Sequence, residues 1–340
     1  MQNKNFIRKK ITPIDVVHLA KAIQSGNFIA LSRGITLCES KKQADRELAN
    51  KLVKLCLPLS GNSIRIGITG VPGVGKSTFI ENFGIHLIKN TKKKVAVLAV
   101  DPSSSKTKGS ILGDKTRMEK LSTNPHAYIR PSPSSGSLGG VANQTRETII
   151  LCEAAGFEII IVETVGVGQS ETEVKEMTDF FLLLMLAGAG DELQGIKKGI
   201  MEMADGLLIN KADGENVLNA KKARREYSNA FHLFSMSESG WTPQVDLCSA
   251  LESINMDSAW KMVQDYITHT KDNGFFEKQR KKQLRFWFLK TIDELMHNSF
   301  YNSASLKGHL KELESKVEAK SISPFEAASE IFEAFKKSIK

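Results

Sequence analysis

Long apolar runs are absent from this sequence, and cysteine is scarce. The longest run, from Phe180 to Ala187, is less than half of the roughly 20 residues that a membrane-spanning helix needs. No membrane span is therefore expected. The chain has four cysteines in 340 residues, with no CxxC pair and no His/Cys cluster at metal-ligand spacing. This usage predicts reduced thiols rather than a disulfide framework.

A large excess of one charge is also missing. The formal net charge is +9, and nonspecific phosphate binding needs cations that cluster on one face, so no nucleic-acid partner is expected. Residues 1–10 are basic but have no apolar core of a secretory signal, little Ser and a single Arg, which favours neither export nor a mitochondrial presequence. We expect a cytoplasmic protein, or a mitochondrial matrix protein if the source is eukaryotic.

The hydrophobic pattern divides the chain into three regions. Residues 1–60 have helical periodicity and predict an N-terminal helical unit. In residues 61–265 short apolar runs alternate with helical stretches, which is typical of an α/β domain with a mostly or wholly parallel sheet. Residues 266–340 predict an arm of amphipathic helices, whose apolar stripes need cover from the chain itself or from a second copy. The predicted strands are Ile64–Ile68, Val95–Val100, Phe157–Val162, Phe180–Leu186, Gly206–Ile209 and Gln244–Cys248.

Two helices are predicted in the N-terminal region. The first runs from Pro13 to Phe28, with Thr12 as its cap, and the second lies near Ser40 to Leu57. Neither segment carries a motif for catalysis, so the region is interpreted as a small helical unit rather than a catalytic one.

The sharpest motif is GVPGVGKS at residues 70–77, which fits the phosphate-loop pattern and lies between a predicted strand and an amphipathic helix. Its glycines let the backbone approach a ligand closely, and its N–H groups would bind phosphate oxygens at the start of the helix. Lys76 would bridge the β- and γ-phosphates, and the Ser77 hydroxyl would ligate Mg²⁺. The nucleotide-binding candidates here are Gly70, Gly73, Val74, Gly75, Lys76, Ser77 and Thr78.

Two further predicted strands run into acidic residues. Asp101 directly follows one strand, and Glu163 follows another and precedes Gly166. Because the carboxyl ends of parallel strands meet at one crevice, both carboxylates are candidates for the magnesium shell. Asp101 before Pro102 also fits an ordinary turn. The Gly166 N–H would sense the γ-phosphate.

The segment Asn210-Lys211-Ala212-Asp213 has the form NKxD. Guanine presents N1–H and an exocyclic amine as adjacent donors, and Asp213 could accept from both, whereas adenine would leave that carboxylate unpaired. Asn210 would connect this segment to the phosphate loop, and the stem of Lys211 would lie over the base. Downstream, Ser249 and Ala250 follow a short strand, and the Ala250 N–H could meet guanine O6. The order of motifs therefore favours GTP and GDP over adenine nucleotides.

Taken together, these motifs closely resemble the MeaB/ArgK group of GTPases, whose mammalian member is the methylmalonic aciduria type A protein. The segments SRGITLCES, GDKTRM, VETVGVGQSE and GAGDELQGIKKGI extend the resemblance over nearly the whole chain. It implies a G domain of the signal-recognition-like and metal-insertase-like class, with an all-parallel sheet and a homodimer formed through the helical arm. It further implies that GTP hydrolysis gates the loading of adenosylcobalamin into a cobalamin-dependent acyl-CoA mutase, typically methylmalonyl-CoA mutase, and protects that enzyme.

The resemblance also assigns roles to single residues. Asp114 would lie on a first switch, and residues 166–171 on a second. The implied magnesium ligands are Ser77, Asp101, Asp114 and Glu163, and the implied catalytic residues are Lys76, Asp114, Glu163 and Lys197.

A third switch is implied at Gly188 to Lys198, where Lys197 is expected to reach the active site. Ala187 departs from the family, since Pro is expected before Gly188. No Gln follows Gly166 directly, and GTPases without a completed catalytic clamp are slow until a partner orders it. We therefore predict slow intrinsic turnover that rises when the mutase orders Lys197 or Arg117.

Three other functions remain open at this point. An ATP-dependent kinase linked to amino-acid transport would need an adenine site, against which NKAD argues. A metal-insertion GTPase would be expected to have His- or Cys-rich tracts, whereas the seven His are scattered. A nucleotide-independent scaffold would bind its partner equally well without nucleotide.

Overall fold

A computed structural model describes residues 14–100, 118–131, 138–164, 171–188, 198–234, 237–303 and 305–339. The chain separates into two compact units, one that ends at Gln283 and one that begins at Leu284. The predicted three-way division into 1–60, 61–265 and 266–340 stays a prediction. No described helix is long and apolar enough to cross a membrane.

The first unit is built on a parallel sheet of seven described strands, in the order β3-β2-β4-β1-β5-β6-β7. Every recorded strand pair is parallel, and β1 lies between β4 and β5. The five central strands β1, β2, β4, β5 and β6 are almost entirely buried because helices cover both faces, which is why their sequences are nearly continuous apolar runs. The predicted α/β class and parallel sheet are confirmed. The strands are β1 Ile64–Gly70, β2 Val95–Val100, β3 Ala127–Arg130, β4 Ile159–Thr164, β5 Phe180–Leu186, β6 Gly206–Asn210 and β7 Gln244–Leu247.

One strand, β3, was not predicted. It has four residues and pairs only with β2 at the edge of the sheet. So short a segment shows no periodicity that distinguishes a strand from a loop.

Helices of the first unit connect and cover these strands. The described helices are α1 Val16–Gln24, α2 Phe28–Cys38, α3 Gln43–Cys56, α4 Lys76–Thr91, α5 Glu119–Ser122, α6 Leu138–Ala154, α7 Glu171–Lys175, α8 Lys198–Met203, α9 Val217–His232, α10 Met256–Asp272 and α11 Phe275–Tyr301, of which α11 continues into the second unit. Short 3₁₀ turns cover Leu57–Leu59 and Gly214–Asn216. Phe79 and Phe83 of α4 are fully buried and their rings stack at 5.2 Å.

The predicted helix from Pro13 to Phe28 is wrong in extent, because the chain forms two helices there, α1 and α2. Gly26 takes a left-handed φ of 81°, and the Asn27 side chain then accepts hydrogen bonds from the N–H groups of Ile29 and Ala30 at 2.9 and 3.0 Å. Asn is a strong N-cap, so a new helix begins at this point. The predicted cap Thr12 lies outside the described residues, and Asp15 caps α1 instead.

Buried charges connect the elements at the amino edge of the sheet, in a group that we call the amino-edge cluster: Arg65, Glu153, Asp179 and Arg280. Arg65 Nη2 lies 2.8 Å from Glu153 Oε1, and both side chains are almost fully buried. Arg280 of α11 donates from Nε and Nη2 to the two carboxylate oxygens of Asp179, each at 2.8 Å. Burial and the nearby Arg65 lower the pKa of Arg146 to about 10. The cluster therefore joins the starts of β1 and β5 to α6 and α11.

The second unit is helical. It contains the end of α11, α12 (Lys307–Glu318) and α13 (Pro324–Ile339). A small apolar core forms between them from Leu306, Leu313, Ala327 and Ile331. At the start of α13, the segment Ser323-Pro324-Phe325-Glu326 has the S-x-x-E form of a capping box. The N–H of Glu326 donates to the Ser323 hydroxyl at 3.1 Å, as this form indicates.

Candidate nucleotide site

The phosphate loop crosses from β1 to α4 at the centre of the sheet. β1 ends at Gly70 and α4 begins at Lys76. A Cβ at Gly70 would lie 2.5 Å from the carbonyl oxygen of Leu184 on β5, so no larger residue fits there. Gly75 has a φ of 88°, and a Cβ on it would lie 3.2 Å from Asn210 Nδ2. The glycines thus permit both the turn and its close packing against neighbouring strands.

The start of α4 presents backbone donors. The first N–H groups of a helix have no partner within it, and no described side chain caps α4. These N–H groups and the helix dipole together favour an anion. A polyphosphate fits this position, and no residue in the turn from Val71 to Gly75 carries an acidic side chain that would repel it.

The side chain of Lys76 folds back over this loop. Its Nζ donates to the carbonyl oxygen of Gly70 at 2.9 Å. Burial lowers the pKa of Lys76, and the charges of Glu163 and Glu171 partly oppose that effect. A phosphate beside this amine would favour its charged form further.

Glu163 lies near the end of β4 and is almost completely buried. Next to it, the Thr164 hydroxyl donates to the Thr69 hydroxyl at 2.8 Å and joins the ends of β4 and β1. β2 ends level with β4, since Val100 pairs with Thr164. The Ser77 hydroxyl and the Glu163 carboxylate are hard oxygen donors of the kind that Mg²⁺ prefers, so the described part of the donor set fits this ion.

Asn210, at the end of β6, connects the phosphate loop to the loop after β7. Its Nδ2 donates to the Val74 carbonyl oxygen at 2.7 Å, and its Oδ1 accepts from the Ala250 N–H at 2.9 Å. Asn210 is 1% exposed, so both bonds are shielded from water. The predicted link from NKAD to the phosphate loop is thus a direct hydrogen bond.

Asp213 and Ser249 are neighbours in space. The Ser249 hydroxyl donates to Asp213 Oδ2 and so orients this carboxylate. Lys211, two residues before Asp213 in the motif, adopts a left-handed φ of 59°, which redirects the chain after β6. The Ala250 N–H, by contrast, is bonded to Asn210, and a contact with guanine O6 would have to share it.

Several predicted site residues lie outside the described residues. Asp101, Asp114, Arg117, Gly166 and Lys197 are in this group, and their roles stay predictions. The described residues bring together the phosphate loop, Glu163 and the NKAD segment at one edge of the sheet. Sequence reasoning missed Asn82, which hydrogen-bonds the carbonyl oxygen of Ala250 at 2.8 Å. No local signal marks that residue, because its partner is 168 positions away.

Comparison with known proteins decides the family. Residues 31–305 match the family model described as methylmalonyl Co-A mutase-associated GTPase MeaB. The chain belongs to the MeaB family. As a MeaB-family GTPase it is a guanine-nucleotide protein, and the resemblance that its motifs indicate is confirmed.

Individual relatives of this MeaB-family GTPase align over most of its length. The probable GTPase Mb1533 of Mycobacterium bovis is 49% identical over 315 residues, which cover 93% of this chain and 94% of that protein. The mitochondrial methylmalonic aciduria type A homolog of Mus musculus is 40% identical over 331 residues, or 94% and 80% of the two chains. The crystal structure of a LAO/AO transport system kinase has 36% identity and a TM-score of 0.75, and the match covers 96% of this chain and 100% of that one.

Proposed function

We propose that this MeaB-family GTPase gates the loading of adenosylcobalamin into a cobalamin-dependent acyl-CoA mutase, methylmalonyl-CoA mutase or a relative, and protects that enzyme. The observation that carries the proposal is the match of residues 31–305 to a family described as mutase-associated. The adenosylcobalamin belongs to the mutase. This chain contributes a switch that is set by GTP and GDP.

Guanine is the base that the site favours. Asp213 has a carboxylate that the Ser249 hydroxyl holds in place, and guanine offers two adjacent donors to such a group. The Asn210 side chain fixes this region to the phosphate loop through Val74. Adenine has no such pair of adjacent donors, so the carboxylate would lose both hydrogen bonds to the base, which is a costly loss for a charged group.

Hydrolysis would depend mainly on positioning and charge. The ammonium of Lys76 would leave the Gly70 carbonyl for the β- and γ-phosphate oxygens, and the α4 N–H groups would bind the same phosphates. Mg²⁺, held by Ser77 and Glu163 with Asp101 and Asp114, would neutralise phosphate charge when bound. Lys197 is proposed as the partner-controlled cation, so unstimulated turnover should be slow.

The second unit is proposed to form a homodimer. Its segment of α11 carries exposed apolar side chains, among them Leu284, Phe288 and Leu295. Spacings of four and seven residues place these side chains on one helix face, and an exposed apolar stripe of this kind is typical of a helix that packs against a partner. Sedimentation of Phe288→Glu against Asp293→Lys would test this. Asp293 is exposed and lies away from this stripe on the same helix, so only the Phe288 variant should become monomeric.

Single-turnover GTP hydrolysis with and without a purified cobalamin-dependent mutase tests the main proposal. We expect a slow rate alone and a clear acceleration with the mutase, and no effect of a cobalamin-independent acyl-CoA enzyme. Co-purification from native cells should recover a cobalamin-dependent mutase, in a yield that GTP analogues change. A fast enzyme that ignores the mutase would contradict the proposal.

A second candidate function is suggested by the similarity to the LAO/AO transport system kinase. An ATP-dependent kinase linked to amino-acid transport would bind ATP and transfer phosphate to a protein. Calorimetry with ATP and GTP separates the two functions, because tight ATP binding would favour the kinase and guanine selectivity the GTPase.

A further inference from the structure

Asn82 bridges two parts of the nucleotide site that are far apart in sequence. It lies on α4, one helical turn after Thr78. Its Nδ2 donates to the carbonyl oxygen of Ala250 at 2.8 Å and to that of Thr78 at 3.1 Å. Its Oδ1 accepts from the Ser253 hydroxyl at 3.2 Å. One side chain therefore joins the helix that carries the phosphate loop to the loop of residues 249–255.

Ala250 is consequently held at both of its backbone polar groups. Asn210 accepts from its N–H at 2.9 Å, and Asn82 donates to its carbonyl oxygen. Ala250 is 3% exposed, so water cannot easily replace either asparagine. A buried carbonyl without its donor carries a free-energy cost, and the backbone would shift to relieve it.

The same loop has an unfavourable backbone that needs such support. Ser253 and Asn255 are non-glycine residues in the left-handed region, with φ of 57° and 61°. Conformations of this kind persist where surrounding contacts hold them. Asn82 supplies one such contact at Ser253, and Asn255 supplies another through its hydrogen bond to the Leu247 carbonyl oxygen at 2.9 Å.

We propose that Asn82 is a positioning residue for base recognition, which holds the loop of residues 249–255 so that Ser249 and Ala250 face the purine. This rests on the proposed guanine site. Of the nucleotide-binding candidates at the start of α4, Asn82 contacts Thr78, at a carbonyl oxygen that cannot donate to a phosphate. It reaches the loop of residues 249–255 through Ala250 and Ser253. Its loss should therefore weaken the hold on the base while phosphate binding and the chemical step stay as they are.

The first test measures release of a fluorescent GDP analogue from Asn82→Ala. We expect release to be about 5- to 30-fold faster than from the unaltered chain, the factor that corresponds to ~1–2 kcal/mol. KM for GTP should rise by a similar factor with kcat unchanged. The matched control is Asn90→Ala on the same helix. Asn90 is exposed, and among the described residues its side chain bonds His86 alone, so this variant should release the analogue at the original rate.

Two further measurements separate a positioning role from general damage to the fold. Inhibition by tripolyphosphate, which has no base, should not change in Asn82→Ala. The affinities for GDP and for inosine diphosphate should both fall, because both bases carry O6. The fall should be at least as large for GDP, whose amine Asp213 is proposed to bind, because Ser249 of the same loop orients that carboxylate. If tripolyphosphate inhibition weakens in Asn82→Ala by the same factor as GDP binding, the proposal is overturned, because the phosphate loop itself would then have moved.

Two other variants keep the test decisive if Asn82→Ala does not fold. Asn82→Asp retains an acceptor for Ser253 but loses the donor to Ala250, and it should release GDP as fast as the alanine variant. Ser253→Ala removes the second contact alone and should have a smaller effect. If the unaltered chain binds ADP as tightly as GDP, the guanine site itself fails. If it is guanine-selective while Asn82→Asp and Ser253→Ala release GDP within twofold of it, the role of Asn82 is wrong.

Discussion

The two edges of the central sheet use polar groups in opposite ways. At the amino edge, Arg65, Glu153, Asp179 and Arg280 satisfy one another in ion pairs that are shielded from water. At the carboxyl edge, the α4 N–H groups have no side-chain cap among the described residues, and Lys76 bonds a carbonyl oxygen in its own loop. The ion pairs of the amino edge are made within the protein, whereas the carboxyl edge is arranged to receive an anion.

This difference follows from the direction of the strands. In a parallel sheet, every strand delivers its following loop to the carboxyl edge, where ligands bind in crevices between loops. The amino edge receives the chain returning from the helices, so its charged side chains can pair with one another away from water. Stability and ligand binding should therefore be separable by mutation.

The largest effect on the free energy of unfolding is expected when an ion pair of the amino-edge cluster is removed. Asp179→Ala leaves the partly buried guanidinium of Arg280 without its carboxylate and the buried N–H of Arg65 without its acceptor. Removing one partner of a buried pair costs about 3–5 kcal/mol. Urea unfolding measures the loss. Lys261→Ala is the control, because its pair with Asp265 is exposed at 2.8 Å and should contribute less than ~1 kcal/mol. Similar losses in both variants would contradict the comparison.

At the open edge, Lys76→Ala should remove function and spare the fold. The single-turnover rate of GTP hydrolysis should fall by about 10²–10³-fold, as when one preorganised donor to developing charge is lost. The unfolding midpoint should not fall, since partial burial of the Lys76 amine disfavours its charged form when no phosphate is bound. Lys89→Ala, at the exposed end of the same helix, should match the unaltered chain in both measurements.

Asp213→Ala sharpens the comparison within the open edge, because it should change selectivity rather than turnover. A hydrogen bond to a charged group contributes about 1.5–3 kcal/mol. The preference for GTP over inosine triphosphate, which lacks the exocyclic amine, should therefore fall by about 10- to 150-fold in competitive binding. Ser249→Ala should lose part of this preference. Asp272→Ala is the control, because Asp272 is exposed on α10, and it should keep the full preference. A preference that survives in Asp213→Ala would show that another group recognises the amine.

The smallest effect is expected at the cysteines. All four are buried, and burial raises the pKa of Cys56 to about 11 and that of Cys248 to about 12. A raised pKa keeps the thiol neutral at a pH where an ordinary cysteine ionises, and the thiolate is the reactive form. At pH 8 the thiols of the folded chain should react slowly with a thiol reagent. After denaturation the same reagent should react rapidly and titrate four thiols. Unfolding restores ordinary pKa values, so above about pH 9 the thiols ionise in the unfolded chain but not in the folded one. The free energy of unfolding should therefore fall as the pH rises above that value.

Much of the fold could be predicted because local patterns were strong. β2 and β5 have the predicted bounds, and their apolar runs are buried on both faces. The N-terminal helices were harder, since the apolar periodicity continues through the break at Gly26 and Asn27. The four-residue β3 was missed, because only its pairing with β2 distinguishes it from a loop, and that pairing is not visible in its own sequence.

In the candidate site, too, some contacts were predicted from the sequence and others were not. NKAD indicated a link to the phosphate loop, and Asn210 makes it through Val74. The use of the Ala250 N–H by Asn210 was not predicted, nor was the contact of Asn82 with the Ala250 carbonyl. Both depend on how α4 and the loop after β7 approach each other, which spacing along the chain does not encode.

By itself, the sequence determined the class of sheet, the phosphate loop and the family, because each depends on short patterns with a direct physical meaning: an apolar run, a glycine turn, a lysine at a helix start. The tertiary structure alone decided which asparagines hold Ala250 and how Asp179 and Arg280 seal the amino edge. Those contacts join residues that are distant along the chain, and their geometry exists only once helices and strands have packed.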